Sequence, residues 1–64
     1  MTLFDLLHES KLFNTGAEVR RYIPMQGVMD DVSGTVHRDP NHECMPERRY
    51  IVYLAGERIK LIAH

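Results

Sequence analysis

RRYIVYLAGERIKLIAH, residues 48–64, decides the fold of this chain. Every residue from Tyr50 to Leu54 is β-branched, aromatic or leucine, types that sit well on a pleated, half-buried surface, and Ile59 to Ile62 repeats that chemistry. Gly56 adopts positive φ without steric cost, so a two-residue loop of Gly56 and Glu57 is expected to fold the two runs into a hairpin. That register sets Leu54 opposite Ile59, Val52 opposite Leu61 and Tyr50 opposite Ala63, with Ile51 beside Ile62 and Tyr53 beside Lys60 on the other face. A loop of Ala55 and Gly56 would shift the pairing by two residues and keep every side chain on its face.

The first face is apolar throughout. The second mixes Ile51, Tyr53 and Ile62 with Arg49, Arg58 and Lys60, and a hairpin apolar on both sides usually lies between two layers. Either the N-terminal helix or a partner molecule is expected to cover that second strip.

Upstream, DPNHECMPE (39–47) is bounded by prolines and rich in Asp, Asn and Glu, the composition of a surface loop. Residues 28–38 read as a strand with a bulge or kink near Asp30 to Gly34, since Asp30-Asp31 disfavours a ladder and Gly34 suits a sharp bend. Residues 17–23 alternate Val19, Arg21 and Ile23 with Glu18, Arg20 and Tyr22, as in a strand of mixed faces, and Pro24 ends it.

At the N-terminus, Thr2 and Asp5 have the spacing of a capping box ahead of a Leu3, Leu6, Leu7 stripe. A helix is expected there over about residues 2–14, closed by Asn14-Thr15-Gly16. The leucine stripe is its core face. The expected fold is α+β in a single domain of residues 1–64. An N-terminal helix precedes a small, strongly bent, four-stranded antiparallel sheet with strands near 17–23, 28–38, 49–54 and 58–63. The sheet is either an SH3-like partial barrel or an open sheet.

A chain of 64 residues buries only about 60% of its unfolded surface and has little room for a deep catalytic cleft. Net charge is −1, from eight Lys and Arg against nine Asp and Glu, which recommends neither nucleic acid nor an anionic membrane. One cysteine cannot close an internal disulfide, and neither a signal-peptide pattern nor a membrane-spanning run is visible, so the cytoplasm is the expected compartment.

His37, Asp39, His42, Glu43 and Cys44 fall within eight residues, yet the paired ligand spacing of a zinc site is missing. They read as a polar loop carrying incidental ligands. A Cys44 nucleophile activated by His42 or His37 lacks a recognisable orienting group or oxyanion site, so no enzyme and no cofactor is expected.

The remaining chemistry lies in two arginine doublets, Arg20-Arg21 and Arg48-Arg49, each followed by a tyrosine. Arginine with tyrosine is what protein interfaces favour, and what single-stranded nucleic acid uses for phosphate contact and stacking. The reading is a non-catalytic module that binds another protein stoichiometrically, as regulator, inhibitor or adaptor, through Arg49, Ile51, Tyr53, Arg58 and Lys60. Nucleic-acid binding by the same face is the alternative, and homo-oligomerisation through strand edges the third reading.

Overall fold

Thr2 opens the first helix, α1 (Leu3–Glu9), with the capping box anticipated from sequence. Its hydroxyl accepts from the Asp5 N–H and the Asp5 carboxylate accepts from the Thr2 N–H. A computed structural model describes residues Met1–His64. In it α1 is shorter than the stripe suggested. The Ser10 hydroxyl donates to the Leu7 carbonyl and accepts from the Leu12 N–H, and Lys11 turns to φ 65°. Serine competes with the helix ladder, so α1 ends there rather than at Asn14.

Residues 17–23 are not a strand. They belong to a second helix, α2 (Gly16–Gln26), whose N-cap is Thr15, its hydroxyl accepting from the Glu18 N–H. Val19 and Ile23 are four residues apart and fully buried. Seven residues with that spacing satisfy a helical period as well as an alternating one. Pro24 sits inside α2 near its end, and the Arg38 guanidinium donates to the carbonyls of Pro24 and Met25 that the last turn leaves open. Gly27 closes the helix at φ +79°, where an added Cβ would collide with the Val36 side chain.

Residues 28–38 likewise do not form one kinked strand. Asp30 receives the Val32 and Ser33 N–H groups on Oδ1, and its backbone bonds to Thr35 and Gly34, so the chain reverses. The result is a hairpin of β1 (Val28–Asp30) and β2 (Val36–His37). The second hairpin is β3 (Arg49–Leu54) and β4 (Glu57–Ile62). Its loop is Ala55-Gly56, with φ of 51° and 80°, the two left-handed residues of a type I′ turn. Tyr50 therefore faces Leu61, Val52 faces Ile59 and Tyr53 faces Arg58, two residues from the Gly56-Glu57 register and with each face unchanged.

The strand order is β2-β1-β3-β4, all neighbours antiparallel, and the sheet is open rather than a barrel. The fold is α+β. Both helices lie on one side of the sheet. Leu3, Leu6 and Leu7 of α1, Val19 and Ile23 of α2, and Val28, Tyr50 and Val52 of the sheet meet with Cys44 and Ala63 in one core. Each large aliphatic buried there contributes about 1.5–3 kcal/mol. The 39–47 loop clamps the entry to α1: the carbonyls of His42 and Pro40 accept from the first helical N–H groups, those of Leu3 and Phe4. No helix is long and apolar enough to cross a membrane.

Candidate functional site

Side chains alternate along a strand, so the layer of helices covers only half of the sheet's residues. The uncovered face carries Arg49, Ile51 and Tyr53 of β3 with Arg58, Lys60 and Ile62 of β4. The ladder sets Arg49 beside Ile62, Ile51 beside Lys60 and Tyr53 beside Arg58. Met29 of β1 lies beside Ile51, and Val36 of β2 beside Met29, so one row of side chains, Val36, Met29, Ile51 and Lys60, crosses all four strands. All five residues singled out from sequence thus share one surface.

They do not share one exposure. Tyr53 is 54% exposed, Ile62 48% and Val36 47%, while Ile51, ringed by its longer neighbours, is 1% exposed. Ile51 supports the surface from below rather than offering contact area. The reason it is buried without a covering layer lies in the register: Met29 and Lys60 flank it directly, and Arg49 and Tyr53 follow on the same strand.

Electrostatics organise the rest. Asp30 and Asp31 are adjacent and point to opposite faces, as do Arg48 and Arg49, and the two doublets match face by face. Asp30 Oδ2 meets Arg48 Nη1 at 2.7 Å on the covered side. Asp31 takes Arg58 at 3.3 Å and Arg49 at 3.7 Å on the open side. Asp30 is only 4% exposed. Burial opposes its ionisation, but the Val32 and Ser33 N–H groups and the Arg48 guanidinium outweigh that and hold its carboxyl below the usual carboxylate range. Lys60 has no carboxylate within salt-bridge distance, so three cations on this face stand against one carboxylate, Asp31.

Tyr22 does something the sequence did not indicate. In the antiparallel register Tyr53 lies past Val28, where β1 begins, so the backbone of Tyr53 that faces β1 lacks a ladder partner. The Tyr22 hydroxyl, reaching from α2, accepts from the Tyr53 N–H at 2.9 Å and donates to the Tyr53 carbonyl at 3.1 Å. One side chain stands in for a strand residue and ties the helix layer to the candidate surface.

The other arginines are dispersed. Arg20 stacks over the Phe4 ring at 4.3 Å, Arg38 caps α2, and Arg21 borders a groove of about 340 Å³ with Leu12, Phe13, Tyr22, Met25 and Leu54. Of the loop residues, His37 and His42 stack with ring centroids 3.8 Å apart, and burial followed by the neighbouring imidazole lowers the pKa of His37. Cys44 is buried in the core beside Tyr50, and burial pushes its thiol up. A thiol held protonated in this way is a poor nucleophile. No group of three or more His, Cys, Asp or Glu side chains is arranged to hold a metal ion.

Met29, Asp31 and Val36 are the surface residues that sequence reasoning passed over, while Ile62 was placed on this face but not among its contact residues. The matching Asp and Arg doublets could have found Asp31, whereas Met29 and Val36 needed the reversal at Asp30. No protein-family model, curated protein or solved structure matches this chain.

Proposed function

We propose that this chain is a small non-catalytic module that binds another protein stoichiometrically through the open face of its sheet, acting as a regulator, inhibitor or adaptor. The carrying observation is that face: Tyr53, Ile62 and Val36 are about half exposed, next to Arg49, Arg58 and Lys60. Exposed apolar area rimmed by charge is the composition of a contact surface, with tyrosine and arginine the residue types most enriched at its energetic centres. Three cations against one carboxylate fit a partner surface that is acidic around an apolar centre. A reducing, cytoplasmic setting belongs to the same reading, supported by a lone, buried Cys44.

The test is binding of a co-purified native partner to wild type and to the Tyr53→Ala and Arg49→Glu variants. Loss of an anchoring tyrosine at an interface weakens binding by about tenfold or more, and charge reversal at Arg49 slows association most at low salt. Partners that bind both variants as tightly as wild type would refute the assignment. Single-stranded DNA and RNA use the same side-chain chemistry, but Arg20, Arg21 and Arg38 point their charge elsewhere. Titration at two salt concentrations separates the two: phosphate-driven binding weakens steeply with salt.

A further inference from the structure

Strand β4 is the sheet's long edge, six residues with no strand beyond it. Which of its backbone groups face outward follows from two bonds. The Ala63 N–H donates to Arg48, across the hairpin, while the Arg49 carbonyl accepts from Asp31, on the β1 side. The alternation then turns the backbones of Glu57, Ile59 and Leu61 toward β3 and those of Arg58, Lys60 and Ile62 outward. None of the turn, loop or cap hydrogen bonds reaches those three backbones.

The flanks of this edge differ in chemistry. On the open face stand Arg58 and Lys60. On the helix face Ile59 and Leu61 are only partly buried, and between α1 and the C-terminal half of β4 lies a recess of about 210 Å³ walled by Met1, Leu6, Leu61 and Glu9, among others. An apolar side chain suits that recess and an acidic one would meet Glu9.

We infer that β4 is a docking edge for an extended segment of the partner, in which acidic residues alternate with apolar ones, added as a fifth antiparallel strand. The backbone of that segment bonds to Arg58, Lys60 and Ile62. Its acidic side chains fall beside Arg58 and Lys60, and its apolar ones continue the layer of Ile59 and Leu61, one of them entering the recess. The inference rests on the proposed protein-binding role and names the shape and chemistry of what is bound.

The probe is an end-capped peptide of about seven residues alternating Val and Glu, the length of an ordinary strand. Its control alternates Val and Lys. In wild type, amide exchange at Arg58, Lys60 and Ile62 is expected to slow by about tenfold or more with the Val-Glu peptide and not with the control. Lys60→Pro keeps an edge strand feasible but removes the outward N–H and sets a ring in the way, lowering affinity by about tenfold or more. Lys60→Ala, which loses one exposed charge only, lowers it by about fivefold or less.

The exchange measurement stands even if Lys60→Pro does not fold. No protection at about 1 mM peptide, or equal binding of the Val-Lys control, overturns the inference. So does protection of the same amides that grows with protein concentration in the absence of peptide, which would give the edge to a second copy of the chain. With the native partner, retention by Lys60→Pro together with loss in Tyr53→Ala removes the edge and leaves the open face standing. Retention in both Tyr53→Ala and Arg49→Glu removes the open face instead.

Discussion

Replacing Asp30 by Asn is the sharpest perturbation of this fold, because one carboxylate does two jobs. Oδ1 accepts from the Val32 N–H at 2.8 Å and the Ser33 N–H at 3.2 Å, shaping the β1–β2 turn, while Oδ2 accepts from Arg48 at 2.7 Å. Asparagine has a single acceptor oxygen. If that oxygen serves the turn, its amide donors face the guanidinium, and a charge-assisted bond of about 1.5–3 kcal/mol is lost. Arg48 retains about a quarter of its side-chain exposure, so water relieves part of the unpaired charge and the expected loss is about 2 kcal/mol. Alanine also forfeits the two turn bonds, about 0.5–1.5 kcal/mol each, for a total of about 3–5 kcal/mol.

A domain of this length has a total stability of about 3–10 kcal/mol, so Asp30→Asn should stay folded with a reduced margin and Asp30→Ala should lose about a third of that stability or more, unfolding outright at the lower end of the range. Urea denaturation followed by far-ultraviolet circular dichroism measures both. The carboxyl of Asp30 is held below its ordinary pKa in the folded state, so its contribution is full above pH of about 4 and disappears as pH falls through the lower folded value. The stability gap between wild type and Asp30→Asn should therefore be widest at neutral pH and narrow toward pH of about 2. A variant within about 0.5 kcal/mol of wild type at neutral pH, or a gap that does not change on acidification, would refute the reasoning. Adding Arg48→Met should restore part of the loss, because the orphaned cation is then removed as well.

Two smaller changes test other joints. Tyr22→Phe deletes the hydroxyl that bridges the Tyr53 N–H and carbonyl; it should cost about 1–2 kcal/mol in urea denaturation and speed amide exchange at Tyr53 more than at Val52, whose bonds run to β4. Ala55→Asn places a residue tolerant of the left-handed region at φ 51° in front of Gly56, so stability should rise by about 0.5–1 kcal/mol, read as a higher urea midpoint with unchanged slope.

What was legible in the sequence was whatever depends on near neighbours. The Thr2 and Asp5 capping box needs only four residues, and the hairpin faces survived a turn moved by one residue because a two-residue shift in pairing keeps side-chain alternation intact. Where local patterns conflicted, the reading failed. Glu18 to Ile23 alternates like a strand while Val19 and Ile23 repeat like a helix, and Thr15 with Glu18, the missed cap, decided for the helix. In residues 28–38, Asp30 was read as a weak strand former when it is the acceptor that folds the chain back.

The sequence by itself determined that residues 48–64 form a ribbon with two apolar-bearing faces, that one helix begins at Thr2, and that the whole is α+β. Only the tertiary structure decided which face the helices cover. Both faces of β3 are greasy enough to be buried, and no local rule ranks them. The choice came from packing at long range: Val19 and Ile23 of α2 close over Tyr50 and Val52, the Tyr22 hydroxyl locks that helix to the Tyr53 backbone, and Asp31 draws Arg49 and Arg58 to the side that is left open.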